Sequence, residues 1–394
     1  MVCGAALLFC ARTASQFPAA PGTGPGLPET IEAIDSARVT TRILYVTAHP
    51  DDEPPMVLTY LARGLHADVA LLSLTRGEGG QNALGPEQAP QLGLIRTQEL
   101  LAATRGYGVK LFFTRAPDFG YSKTPEETMR VWGDQVLEDM VRVIRTFRPN
   151  IVVNGWAGVR GGHGHHQSAG ILTPKAVQLA ADPAFKLPKS QALDFGEGPA
   201  AVWGTKENPV RLLGIDRFSE KPKGYVMPLD DVSPLYGKTW REMGIDAFAN
   251  HRSQGIAAFL NSPFSRRPIG ILQEDGTPVD PATLIRPITE SRPQGCKAFA
   301  EADRLLAAAR ASALGLDWPT AVHSLAEAAR TVASWESACP THLTGNEDFL
   351  FDIARMRRRV ERALAMAAGF RVTAEAGRSE VVPANSFDVL ELAR

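Results

Sequence analysis

Neither sign of charge is in excess in this 394-residue chain, with 42 Lys and Arg against 43 Asp and Glu. A nucleic-acid binder normally carries a basic excess, and no Lys/Arg block is read here as making a local patch. No nucleic-acid partner is expected. Long apolar runs are missing too. Spanning a bilayer takes about 20 consecutive apolar residues, and no stretch approaches that, so no transmembrane segment is expected. Cysteine is scarce, four in all. Cys3 and Cys10 fall in the first fifteen residues. Cys296 and Cys339 are too far apart, and too short of neighbouring Cys or His, for a zinc knuckle. One disulfide in an exported protein and two buried thiols fit them equally. Internal repeats are absent. What the chain does have is a hydrophobic fraction of 44%, enough for a full-sized core. Its length suits two domains, or one large domain with an extension.

Residues 1–11 are apolar, about the length of a signal-peptide h-region, and mostly small residues follow to Ser15. Arg12 is the first charge, so the segment reads as an export signal without its basic n-region. That points to a periplasmic or extracellular location and leaves a cytoplasmic one open. Residues 16–29, rich in Pro, Gly and Ala, read as a linker, and residues 1–38 are set apart from the folded chain.

From Arg42 the pattern changes. Residues 43–46 (ILYV) form a short β-rich apolar run, as expected of a strand buried on both faces. Residues 56–64 suit a helix, 68–74 a strand, 94–105 a helix, 111–114 a strand, 126–147 a long helix and 151–153 another buried strand. Strands alternating with helices imply right-handed crossovers and a mostly parallel sheet covered on both sides. The fold class is α/β, a Rossmann-like three-layer α/β/α core. Beyond Ala180 the alternation fades into a Pro/Gly-rich stretch, followed by a helix over 237–259. Residues 296–314, 318–336 and 346–368 read as three Ala-rich helices, a C-terminal helical extension. Residues 370–373, 380–382 and 387–390 turn strand-like, the start of a further domain in a chain read as a piece of something longer. The expected division is 1–38, 39–295, 296–370 and 371–394.

Four of the eight histidines fall in two clusters, each after an expected buried strand. The first is Ala48-His49-Pro50-Asp51-Asp52-Glu53; the second is His163-Gly164-His165-His166. In open parallel sheets the ligand crevice lies at the carboxyl ends of the strands, so both clusters should open into one cleft. A catalytic zinc site wants about three His, Asp or Glu ligands and an open position. His49 and Asp52, in a tight loop with Pro50, can face one ion, with His166 as the third ligand from the start of the next helix. Asp51 is then a carboxylate beside the metal, free to act as general base toward its water. His163 is left to donate to a developing oxyanion or a departing amine. Taken alone, His-Pro-Asp-Asp is a helix-capping turn and a Gly-flanked His cluster is usually solvated. Their shared placement on one sheet favours the metal.

The first cluster resembles the AHPDDE motif of the PIG-L/LmbE de-N-acetylases. Further echoes are Thr75-Arg76-Gly77-Glu78-Gly79-Gly80, Arg96-Thr97-Gln98-Glu99-Leu100 and His251-Arg252-Ser253-Gln254. The family's His-Pro-Asp-His stands here as His163-Gly164-His165-His166, so the outer histidines match and the Asp is lost. That loss is expected to weaken an orienting contact and the proton-donating step. The resemblance spans about residues 40–295. It implies a zinc-dependent hydrolase that removes the N-acetyl group of an N-acetylglucosaminyl amino sugar or glycoconjugate, with Asp51 and His163 catalytic and His49, Asp52 and His166 on the metal. It also points to Arg96 and Asp118 as substrate contacts. Glu78, in a Gly-rich loop at a strand end, is placed to line the cleft, while the glycines around it fit a purely turn-forming role equally well. A structural role for Arg96, paired with Glu99 on its helix, fits equally. A His₂Asp set also accepts Fe²⁺ or Mn²⁺. Two alternatives stand beside this reading: a catalytically silent carbohydrate-binding module on the same fold, and a metal-dependent hydrolase of another amide. Oligomeric state is not readable from the sequence.

Overall fold

The computed structural model describes residues 26–158, 162–188, 200–256, 263–290, 297–339, 347–370, 372–376 and 389–393. A seven-stranded sheet carries the core. Its strands are β1 (Arg42–Thr47), β2 (Asp68–Ser73), β3 (Lys110–Phe113), β4 (Ile151–Asn154), β5 (Arg211–Asp216), β6 (Tyr225–Val226) and β7 (Gly270–Gln273), in the spatial order β3-β2-β1-β4-β5-β7-β6. The first five are parallel neighbours; β7 runs antiparallel to both β5 and β6. The expected mostly parallel α/β architecture is present.

The sequence of β1 explains its central place. Every residue of Arg42–Thr47 is buried, and successive side chains serve opposite faces. Ile43 and Tyr45 join Val69, Leu71, Ile151 and Val153 in one core; Leu44 and Val46 join Ala70, Leu72 and Val152 in the other. A one-residue slip of register would exchange both sets. The first core is roofed by α2 (Pro55–Thr59, continuing as a π-turn over Tyr60–Gly64), α3 (Gln91–Tyr107) and α7 (Trp240–Phe248). The second is covered by α4 (Pro125–Trp132), α5 (Asp134–Phe147) and α6 (Gly164–Ala181).

A third core joins α1 (Leu27–Ala37) to the helices Lys297–Leu314, Trp318–Ala333 and Glu347–Ala367, through Ile31, Ile34, Leu306, Leu325 and Val360. Residues 27–37, partly assigned above to a linker, are therefore helical. Pro28 sits in the first turn, where a missing N–H costs nothing, and the apolar face finds most of its cover on helices that begin at Lys297. Ion pairs Arg38–Asp303 (2.7 Å) and Asp35–Arg310 (2.7 Å) flank that contact.

Other expectations change in detail. The long helix over 126–147 is two helices, parted at Gly133, whose φ of +61° lies in the left-handed region. The helix expected over 237–259 spans only Trp240–Phe248, followed by a 3₁₀ turn at Arg252–Gln254; residues 257–259 lie outside the described residues. Strands β5 and β7 lie in the stretch where alternation seemed to fade. Of the strand-like tail, Val372–Ala376 and Val389–Ala393 form an antiparallel pair, while 380–382 lie outside the described residues, as do the signal-like residues 1–15. The absence of a Lys/Arg block is also corrected: Arg355, Arg357, Arg358, Arg359 and Arg362 crowd one helix. Cys339 is disulfide-bonded, and its partner cysteine lies outside the described residues. Among the described residues no helix is long and apolar enough to cross a membrane.

Candidate metal centre

The strand order reverses at β1, which has β2 on one side and β4 on the other. That is the switch point where an open α/β sheet leaves a crevice at its carboxyl edge. Val46 pairs with Asn154 near the ends of the two strands. The loop after β1 therefore meets the loop that leads from β4 into α6, and two clusters more than a hundred residues apart become one site.

His49 is the hub. Its Nδ1 lies 3.0 Å from Asp52 Oδ2 and 3.2 Å from His166 Nε2, and His166 Nε2 lies 3.2 Å from Asp52 Oδ1. Two imidazole nitrogens and a carboxylate thus converge on one point, their side chains retaining 9%, 21% and 12% exposure for His49, His166 and Asp52. Such a donor set, buried but open on one side, fits a catalytic divalent cation. A second trio shares His49 with His163 and His165. It has no carboxylate, and its His165 is fully enclosed.

The loop carrying these groups is strained and braced. Asp51 has φ of +93°, uncommon for a residue with a side chain. Its N–H donates to Glu53 Oε2 (2.9 Å), and the His49 N–H donates to Asp52 Oδ2 (2.7 Å). Arg96 clamps the same loop from α3. Its Nη2 donates to the Pro50 carbonyl and to Asp51 Oδ1 (2.8 Å), and its Nη1 donates to the Gly77 carbonyl (2.9 Å). A Cβ on Gly77 would collide with that guanidinium, and Gly77 also has φ of +71°, so this position needs glycine.

Charge follows the geometry. Burial works against ionising Asp52, yet the imidazoles of His166 and His49 hold its carboxyl well below the ordinary range. Burial lowers His49, but the Asp52 carboxylate leaves its pKa raised. Asp51 keeps 28% of its side-chain surface open; the protein around it still pushes its carboxyl up to about 7, with Arg96 pulling down and Asp52 adding to the rise. Burial and the neighbouring imidazoles hold His163 at about 4. Neutral His163 has a defined tautomer: it caps α6 by accepting the His165 N–H at Nδ1 (3.4 Å), which leaves the proton on Nε2.

All the expected site residues gather here, but not all face the open cleft. Asp118 and Arg96, expected at the substrate, have side chains only 3% and 4% exposed. Asp118 Oδ2 sits 3.9 Å from His49 Nε2, and Oδ1 sits 3.8 Å from His165 Nδ1. Arg96 is bound to protein groups, as above, and Glu99 bonds elsewhere. Glu78 accepts the Asp118 N–H at 3.0 Å and braces that loop. The resemblance motifs interlock behind the site: Glu99 accepts from the N–H and hydroxyl of Ser253 (2.7 and 2.6 Å), and His251 Nε2 lies 2.7 Å from Glu53 Oε1 in a fully buried pair.

Sequence reasoning passed over three residues that shape the walls. Trp156 stacks flat on His166 at 3.7 Å. Arg217 lies 4.4 Å over Trp156 and donates to the Asp52 carbonyl. His165 places Nδ1 2.9 Å from His49 Nε2. The first two lie outside any motif, and His165 carried a signal only as the position where the expected Asp is missing.

Comparison with known proteins follows the same lines. The PIG-L family, described as GlcNAc-PI de-N-acetylase, matches residues 44–177. A 1D-myo-inositol 2-acetamido-2-deoxy-alpha-D-glucopyranoside deacetylase of Geodermatophilus obscurus is 37% identical over 220 residues, 49% of this chain and 71% of that protein. The chain belongs to the PIG-L family. A deacetylase of the same name from Streptomyces scabiei is 31% identical over 220 residues, covering 50% of this chain and 64% of its own. Among solved structures, N,N'-diacetylchitobiose deacetylase from Pyrococcus horikoshii superposes with a TM-score of 0.43 at 20% identity, over 62% of this chain and 88% of that one. The PIG-L match includes both histidine clusters; the C-terminal helices lie beyond it.

Proposed function

We propose that the chain is a zinc-dependent N-deacetylase acting on an N-acetylglucosaminyl amino sugar, of the kind named for the relatives above, in which glucosamine is joined to inositol. The observation that carries this reading is the convergence of His49, Asp52 and His166 on one point beside the open carboxylate of Asp51. His49, Asp52 and His166 would hold the ion, which when bound supplies a Lewis acid that polarises the amide carbonyl and eases deprotonation of water. Asp51, fixed by Arg96 and Glu53, takes the proton from the attacking water. The Nε2–H of His163 donates to the oxyanion as the carbonyl becomes tetrahedral. Protonated Asp51 then returns the proton to the amine as the C–N bond breaks, releasing acetate and a free amino sugar. Arg96, Asp118 and Glu78 act by holding the loops that carry these groups.

Acetate release from the inositol-linked substrate and from a panel of N-acetylated amino sugars, by purified protein with added zinc, tests the reading. Stoichiometric release is expected. Binding across the panel without turnover, in metal-loaded protein, would instead identify a silent carbohydrate-binding module.

A further inference from the structure

A cavity of about 580 Å³ opens at the other end of the sheet from the metal centre. Its floor includes Asp68 and Lys110, the first residues of β2 and β3, and its wall is the helix Glu347–Ala367. Arg355, Arg358, Arg359 and Arg362 all line it. Their spacing of i, i+3, i+4 and i+7 puts them on one helix face, whereas Arg357 points away and pairs with Glu361 at 2.7 Å. Arg63, Arg105 and Lys110 complete seven basic lining residues, against three acidic ones.

The acids are already engaged. Glu32 binds Arg63 at 2.6 Å and accepts the Tyr236 hydroxyl at 2.5 Å. Asp68 pairs with Arg355 and, at 3.5 Å, with Lys110. Glu29 accepts the Gly26 N–H at 2.9 Å. Arg359 is spent on the carbonyls of Val39 and His66. Arg105, Arg358 and Arg362 are exposed, and among the described residues no side-chain hydrogen bond or ion pair joins them to protein. The crowding has an electrostatic signature: burial, with Arg362 and Arg42 nearby, holds the Arg359 guanidinium at about 10, and burial beside Arg42, Arg359 and Arg358 pulls Arg355 down as well. In a chain of net charge −1, this is a local concentration of like charge that folding alone does not reward.

We propose that this cavity binds a small organic molecule carrying two or more phosphoryl groups, with Arg105, Arg358 and Arg362 as its free ligands. Guanidinium forks match phosphate oxygens two at a time, and multiple anionic groups would relieve the repulsion that the arginine face builds up. The volume lies in the range of small-molecule sites, while the enclosing wall of α1 and the C-terminal helix suits a compact ligand over a polymer. Because the cavity joins the α/β core to the helical extension, the ligand would tie the two together away from the chemistry.

Isothermal titration of the full chain with inorganic tripolyphosphate in about 150 mM salt tests the site, at an ionic strength that screens diffuse attraction. Wild-type protein is expected to bind with micromolar affinity, and Arg358→Gln/Arg362→Gln, two exposed changes, to bind at least tenfold more weakly. His166→Ala protein, which lacks one donor of the His49, Asp52 and His166 trio, is expected to bind as wild type, which separates this cavity from the metal centre. No heat from wild type at millimolar tripolyphosphate, or equal binding by the double variant, overturns the proposal. So does an RNA oligonucleotide that binds far more tightly per phosphate, which would indicate an extended surface instead.

Discussion

The Nδ1 of His165 lies 2.9 Å from the Nε2 of His49, so the residue standing where the PIG-L motif has an acid is the direct partner of the hub imidazole. His49 presents its other nitrogen, Nδ1, to Asp52 and His166. If His165 accepts the Nε2–H, the hub is fixed in the tautomer whose Nδ1 is free for a cation. Partners of this kind typically contribute about 10–100-fold in metal affinity. His165→Ala should weaken zinc binding by about that factor, read by competition with a chromogenic chelator, and His165→Asp should recover most of it. An alanine variant with wild-type affinity would show that Asp118, 3.9 Å away, orients the ring unaided.

On the proposed mechanism, Asp51 separates chemistry from metal binding. It is the open carboxylate of the loop and belongs to neither ligand trio. Asp51→Asn should keep full zinc stoichiometry while kcat falls by about 10²–10⁴-fold, the usual worth of a positioned acid–base group. Metal analysis alongside acetate release checks both halves, and a fully active variant would remove Asp51 from the role of base.

Dependence on the ion has its own test. Prolonged dialysis against a strong chelator should abolish acetate release, and stoichiometric zinc should restore it. His166→Ala should not be restored at the same concentration, because it removes one of three donors and the ring on which Trp156 stacks at 3.7 Å. Unchanged zinc content in dialysed His166→Ala would show that the ligand lies elsewhere.

How much of this was legible depends on the range of the signal. The runs 43–46 and 151–153 are apolar enough to be read as strands by local pattern, and they place both histidine clusters at the crevice. The α1 helix was not legible, because most of its apolar face is explained by helices near the other end of the chain. Strands β5 and β7 were hidden by the polar and glycine residues that interrupt them, Arg211, Gly214 and Asp216 in one and Gly270 and Gln273 in the other, and by the Pro- and Gly-rich loops around them. Within the site, residue type led to Arg96 and Asp118 but carried no signal for the direction of their side chains. Whether a side chain faces solvent or a neighbouring carbonyl is decided by packing, and Arg96 turns inward because Gly77 leaves it room.

The buried pair of Glu53 and His251 is the bolt behind the loop that carries Asp51. Glu53 Oε1 lies 2.7 Å from His251 Nε2 and accepts the Tyr107 hydroxyl at 3.1 Å, while its Oε2 takes the Asp51 N–H. Removing one member of such a pair leaves the other buried without a partner, at a typical cost of about 3–5 kcal/mol. Glu53→Ala should therefore lower the unfolding free energy by about that much in urea titrations, and acetate release should fall with it because Asp51 loses its brace. The pH dependence has a definite sign. Burial works to lower the His251 pKa, but Glu53 leaves it raised above 6.5. The charged pair therefore stabilises the fold fully below the unfolded value near 6.5, and that contribution fades as pH rises through the higher folded value. Wild type should lose more stability than Glu53→Gln between pH 6 and pH 9, and parallel stability–pH curves for the two proteins would show that His251 is held neutral throughout.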